Sequence, residues 1–173
     1  MDLSKNLKVK FSAQDIRTVV KQIGKKLSID YKDKNPIFVG ILNGSFMFMS
    51  DLIREVSTDC EICFIQLKSY DGMQSSGVVE ILKDFDVDIS NRHVIIVEDI
   101  IETGQTLNFL LKKLELIPIK SLKIVSLLVK ELERSFNYPI DYIGFEISQE
   151  FVVGYGLDFE EKFRHLDSIY TLN

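Results

Sequence analysis

Apolar positions along the chain follow two rhythms. Ser12 and Asp15 precede Ile16, Val19, Val20, Ile23 and Leu27, a capped start followed by helical spacing. Ile37–Leu42 is an almost unbroken apolar run that predicts a buried strand, broken by Asn43-Gly44. Phe46, Met47, Met49, Leu52 and Ile53 then suit a packed helix, as ordinary core rather than a methionine-rich docking face. Cys63–Leu67 and Val78–Leu82 read as strands on either side of a polar stretch, 69–77, containing Gly72 and Gly77. That stretch predicts the tip of a long hairpin, a flexible lid or a plain solvated turn. Val94–Val97 is all β-branched and predicts a strand buried on both faces, followed by a helix from about Gln105 to Leu116. Ile124–Val129 and Tyr142–Phe145 predict further strands, with a turn around Asn137-Tyr138-Pro139 between them. The C-terminal Phe151–Asn173 reads as partly irregular, packing as a small hood over the ligand edge of the sheet.

Strands alternating with helices imply right-handed β-α-β crossovers. The expected fold is α/β: a single doubly wound, mostly parallel sheet with flanking helices, a hairpin lid and a C-terminal hood. The 173 residues suit one domain over 1–173, with no repeat, low-complexity tract or linker to divide them.

Composition narrows the function classes. The net charge of -5, with scattered lysines, argues against a nucleic-acid backbone as partner. Met1–Lys10 alternates apolar and charged residues with no signal-peptide core, and no apolar run approaches a membrane span, so a cytoplasmic address is expected. Cys60 and Cys63 make a C-x-x-C, but they border strand sequence where redox pairs begin helices. A zinc site would need further ligands, and only His93 and His165 exist.

The chemistry concentrates in Val94-Ile95-Ile96-Val97-Glu98-Asp99-Ile100-Ile101-Glu102-Thr103-Gly104-Gln105-Thr106-Leu107. Adjacent carboxylates, Glu98 and Asp99, fall where the strand is expected to end and turn, the place where open α/β sheets hold ligands. Magnesium takes one or two carboxylates and keeps its waters, which suits such a pair. Thr103, Gly104, Gln105 and Thr106 offer hydroxyls, backbone N–H groups and a helix start to a phosphate. Neither a Walker A loop nor a G-x-G-x-x-G is present, so a phosphate monoester fits better than a triphosphate or dinucleotide. A phosphorylated sugar with its metal matches both halves.

The stretch resembles the phosphoribosyl-pyrophosphate motif of the type I phosphoribosyltransferases, in the variant of the hypoxanthine-guanine group. Leu42–Phe48 resembles that family's pyrophosphate loop, Ser69-Tyr70 its lid, Leu128-Val129-Lys130 its purine-contacting strand, and Asp141–Ile147 with Phe151–Asp158 its base-binding segment. Together these run from about residue 36 to 166.

The resemblance implies exchange of a 6-oxopurine for pyrophosphate at the anomeric carbon of phosphoribosyl pyrophosphate, giving IMP or GMP. It implies that Thr103–Thr106 wrap the 5′-phosphate, that Glu98 and Asp99 hold the ribose hydroxyls and a first Mg2+, and that Asp158 serves a second. Asn43, Gly44 and Arg164 would contact pyrophosphate, Phe151 would stack on the purine, Lys130 would donate to its 6-oxo group, and the Val152 backbone would read its edge. Ser69 and Tyr70 would close the site. A homodimer or homotetramer is implied, with Phe46–Leu52 a candidate contact.

Two residues depart from the family pattern. Glu102 stands where relatives usually carry the aspartate that takes the proton from purine N7. The extra methylene shifts that carboxylate, although a longer chain can fold back. Asn43 stands where many relatives have lysine, which predicts weaker hold on pyrophosphate. These departures leave rivals: a transferase preferring xanthine or guanine, a module that binds the sugar pyrophosphate or nucleotide without turnover, and a nucleic-acid-binding regulator, which the pI of about 5.1 disfavours.

Overall fold

A computed structural model describes residues 7–69, 79–130, 136 and 138–172. A capping box starts the first helix: Ser12 Oγ accepts from the Asp15 N–H and Asp15 accepts from the Ser12 N–H at 2.9 Å. The chain runs β1 Leu7–Phe11, α1 Ala13–Asp30, β2 Ile37–Leu42, α2 Phe46–Arg54, β3 Glu61–Ser69 and β4 Val79–Lys83. It continues through β5 His93–Ile101, α3 Gln105–Leu114, β6 Ser121–Lys130, β7 Tyr142–Ile147, β8 Val152–Val153 and β9 Ile169–Leu172.

Six strands form the main sheet in the order β4-β3-β2-β5-β6-β7, parallel except for the β3–β4 pair. Helices cover both faces, as expected of a doubly wound α/β fold. Ile16, Val20, Ile23 and Leu27 of α1 and Phe48, Met49 and Leu52 of α2 pack with Phe38, Ile95 and Val97. Leu107, Leu110, Leu111 and Leu114 of α3 pack on the other face with Val39, Ile65, Val94 and Ile96. The methionine-rich helix therefore spends its apolar stripe inside the protein, leaving Phe46 as its exposed apolar end.

Two expectations need correction. The C-terminal stretch is partly irregular, as read, but the sheet is not single: β9 pairs antiparallel with both β1 and β8 in a separate three-stranded sheet. The alternation Leu7, Val9, Phe11 is the period-2 signal for β1, and Phe11 stacks on Phe145 at 3.9 Å between centroids. The third helix also stops at Leu114, two residues early. Cys60 and Cys63 are free thiols, and Cys63 is buried in β3, as its strand sequence requires. The hairpin tip beyond Ser69, including Tyr70, and the Asn137 end of the predicted turn lie outside the described residues. Among the described residues no helix is long and apolar enough to cross a membrane.

Candidate active site

The chain leaves β2 and β5, which are neighbours, toward opposite sides of the sheet: α2 carries it to β3 and α3 to β6. A crevice must open between their carboxyl ends, and this is where α/β sheets receive ligands. Two cavities occupy it. One, of about 380 Å³, is lined by Leu42, Gly44, Leu67, Glu98, Asp99 and the loop Glu102–Leu107. The other, of about 280 Å³, is lined by Asn43, Phe151, Val152, Leu157, Asp158 and Arg164. They meet at Gly44, Asp99, Ile100 and Glu102, which line both.

Glu98 and Asp99 do not sit in a turn. Ile100 and Ile101 pair with Leu128 and Val129 of β6, so β5 continues past both acids and buries them. Beyond Val97 the alternation changes phase, with Ile100 packing on the α1–α2 core and Ile101 on the α3 core. Both residues line the first cavity. Burial raises both, Glu98 well above the ordinary carboxylate range and Asp99 to about 6, and their proximity adds to the shift at Glu98. A cation would offset that cost. Among the described residues no group of three or more His, Cys, Asp or Glu gathers around a point, so the residues form no cage of their own. Two buried oxygen-donor acids lining one cavity fit magnesium held partly by substrate and water.

Gly104 starts α3 in the left-handed conformation, φ 75°, a position that favours glycine. The Thr103 hydroxyl accepts from the Gln105 N–H at 3.3 Å. Gln105, Thr106 and Leu107, the first turn of α3, line the same cavity, and first-turn N–H groups have no carbonyl one turn earlier to bind. Phe136 closes over Gly104, so that any side chain there would strike its ring. No sequence signal marks that contact.

Glu102, about half exposed, and Lys130, 7% exposed, form an ion pair across the ends of β5 and β6. The structure thus joins the acid and the lysine predicted to serve the purine. Phe151 is 48% exposed at the second cavity and meets Phe159 edge-on at 5.7 Å. Phe159 is an aromatic neighbour that sequence patterning did not single out. Val152 is buried in β8 at the same wall.

Asp158 and Arg164 are paired at 2.7 Å, and Arg164 Nη1 also donates to the Gly156 carbonyl at 2.8 Å. Gly44 is wedged between this turn and the acids: a Cβ on it would overlap the Asp99 carboxylate, and a Cβ on Gly156 would overlap the Gly44 carbonyl. The Leu42–Asn43 peptide is cis. Asn43 Oδ1 accepts from Gln66 at 3.4 Å. Ser69 ends β3 at the same end of the sheet, two residues beyond Leu67, which lines the first cavity.

Comparison with known proteins agrees with this geometry. Residues 7–160 match the phosphoribosyl transferase domain family. A hypoxanthine-guanine phosphoribosyltransferase of Staphylococcus epidermidis is 44% identical over 172 residues, covering 98% of this chain and 96% of the relative. The bifunctional protein TilS/HprT of Listeria monocytogenes is 40% identical over 166 residues, 95% of this chain, which spans only 26% of that longer protein. The crystal structure of a Staphylococcus aureus hypoxanthine phosphoribosyltransferase superposes with a TM-score of 0.93 at 42% identity, covering all of this chain and 95% of the other.

Proposed function

The chain belongs to the phosphoribosyltransferase family, and we propose on that footing that it is a purine-salvage enzyme converting hypoxanthine or guanine and phosphoribosyl pyrophosphate to IMP or GMP and pyrophosphate. The observation that carries this reading is the meeting of the two cavities at Gly44, Asp99 and Glu102. A sugar phosphate in the first would present its anomeric carbon to a base in the second.

In this reading the whole chain acts as one phosphoribosyltransferase domain. The loop Thr103–Thr106 binds the 5′-phosphate with hydroxyl and N–H donors. Glu98 and Asp99 hold the ribose hydroxyls. Asn43, Gly44 and Arg164 bind the pyrophosphate, the guanidinium being suited to bidentate contact with its oxygens. A magnesium ion would be held by Glu98 and Asp99 and a second by Asp158, and together they would supply charge neutralisation of the departing pyrophosphate.

Phe151 stacks on the purine and the Val152 backbone reads its edge. Lys130 releases Glu102 and donates to the 6-oxo oxygen. A lysine donor discriminates against the 6-amino group of adenine. As purine N9 bonds to the anomeric carbon and the bond to pyrophosphate breaks, the Glu102 carboxylate takes the proton from N7. Ser69 and Tyr70 close over the site and exclude water. We place the enzyme in the cytoplasm, where the free thiols of Cys60 and Cys63 stay reduced, and as a homodimer or homotetramer.

Steady-state assays with phosphoribosyl pyrophosphate, magnesium and each of hypoxanthine, guanine, xanthine and adenine test the reading. Turnover of hypoxanthine or guanine, with adenine inert, is expected. Binding of phosphoribosyl pyrophosphate without turnover of any base would replace it with a regulatory module.

A further inference from the structure

Tyr155 sits at the centre of the turn that carries the second cavity, yet its side chain points away from both cavities. Its backbone has φ 50°, flanked by Gly154 at 97° and Gly156 at 99°. A left-handed conformation is easy for glycine and costly for tyrosine. The residue is 5% exposed, and its hydroxyl donates to Asp51 Oδ2 of α2 at 2.7 Å. Burial and the Asp51 carboxylate both keep the phenol protonated, so it remains a donor. The other Asp51 oxygen accepts from Arg54 at 2.9 Å.

The bond ties together two pieces of chain that both reach the candidate pyrophosphate site. The loop Asn43–Ser45 leads directly into α2. The Gly154–Leu157 turn closes on itself, Gly154 N–H to Leu157 carbonyl at 3.0 Å and Leu157 N–H to Gly154 carbonyl at 3.1 Å. It is stitched to the Arg164–Leu166 segment by Gly156 N–H to Arg164 carbonyl at 3.0 Å and Tyr155 N–H to Leu166 carbonyl at 2.8 Å. Gly156 then lies against the Gly44 carbonyl and holds Arg164, which pairs with Asp158.

We propose that Tyr155 and Asp51 are a positioning pair that sets the pyrophosphate site, locking the Gly156–Arg164–Asp158 unit onto the Asn43-Gly44 loop. The pair touches no reacting atom. It acts by fixing the separation between the Gly44 backbone and the Arg164 guanidinium, the two sides between which pyrophosphate would lie. The idea rests on the phosphoribosyltransferase reading of that site. It accounts for why a strained tyrosine conformation is kept where glycine neighbours already allow the turn.

The test is calorimetric binding of magnesium pyrophosphate, together with KM for each substrate, on the full chain. Tyr155→Phe keeps the ring and removes the hydroxyl. It is expected to weaken pyrophosphate and raise KM for phosphoribosyl pyrophosphate roughly tenfold, the loss of one charge-assisted bond. KM for hypoxanthine should stay within about twofold, because Phe151 and Lys130 are held by other contacts. Asp51→Ala should match it, Asp51→Asn should largely rescue binding by keeping an acceptor oxygen, and Tyr155→Phe with Asp51→Ala should be no worse than either alone. Unchanged pyrophosphate affinity in Tyr155→Phe, equal losses for both substrates, or additive losses in the double variant would overturn the proposal. A wild type that binds magnesium pyrophosphate but turns over no base overturns the enzymatic reading and leaves the positioning pair standing; one that binds none overturns both.

Discussion

Lys130 donates from β6 to the Glu102 carboxylate at the end of β5, joining the two charged groups that the purine would need apart. The lysine is buried and the glutamate half exposed. The pair keeps a buried ammonium partnered before substrate arrives. In the proposed reaction hypoxanthine replaces the carboxylate as the lysine's partner, and Glu102 turns to the N7 proton.

Lys130→Met removes the donor while keeping an apolar stem of similar length. KM for hypoxanthine is expected to rise about tenfold to a hundredfold, with little change in KM for phosphoribosyl pyrophosphate. Steady-state kinetics with each substrate varied in turn checks the split. Equal changes in both constants would place the lysine outside the base site.

Asp99 supplies a pH-dependent prediction. Burial raises its carboxyl from the ordinary 3.8 to about 6, so between those values the folded chain binds more protons than the unfolded one. Its stabilising contribution is then full below pH 4 and is lost as the pH rises through 6. Asp99→Asn, neutral at every pH, should melt close to wild type at pH 4 and a few degrees higher at pH 7 in EDTA. Melting curves against pH check this, and a difference that does not change with pH contradicts it. The same variant should bind magnesium phosphoribosyl pyrophosphate at least tenfold more weakly, since the charge that costs stability is the one offered to the metal.

Gly44 leaves no room for a side chain against Asp99. Gly44→Ala should lower the melting temperature by several degrees, through displacement of a packed loop costing about 1–3 kcal/mol. It should also raise KM for phosphoribosyl pyrophosphate more than KM for hypoxanthine. Differential scanning fluorimetry and initial rates test both effects.

What could be read along the chain followed the strength of local patterns. The Ser12–Asp15 box, the continuous apolar run Ile37–Leu42 and the β-branched Val94–Val97 each point to one structure, and each is found. Glu98 and Asp99 interrupt the apolar pattern at the end of β5, so the sequence does not mark where the strand stops; the ladder to β6 carries it through them by tertiary pairing. The β1-β9-β8 sheet pairs β1 with β9, more than 150 residues away; the alternation of Leu7, Val9 and Phe11 marks a strand, but strands of two to five residues do not announce their partners.

The site divides the same way. Glu98–Thr106 is one continuous motif, so its chemistry is visible in order along the chain. Lys130, Phe151, Asp158 and Arg164 are legible through resemblance, since each alone would pass for a surface charge or a core ring. The Glu102–Lys130 pair, Phe136 over Gly104 and the Tyr155–Asp51 bond appear only when the fold brings distant segments together.

The most direct test of the account is a single-turnover measurement with excess wild-type protein, limiting hypoxanthine, phosphoribosyl pyrophosphate and magnesium, repeated with Glu102→Gln. The account predicts stoichiometric IMP from wild type. It predicts a rate roughly 10²- to 10⁴-fold lower for the variant, the range expected when a general base is removed, with hypoxanthine still bound. Absence of IMP from wild type, or an undiminished rate with Glu102→Gln, would contradict it.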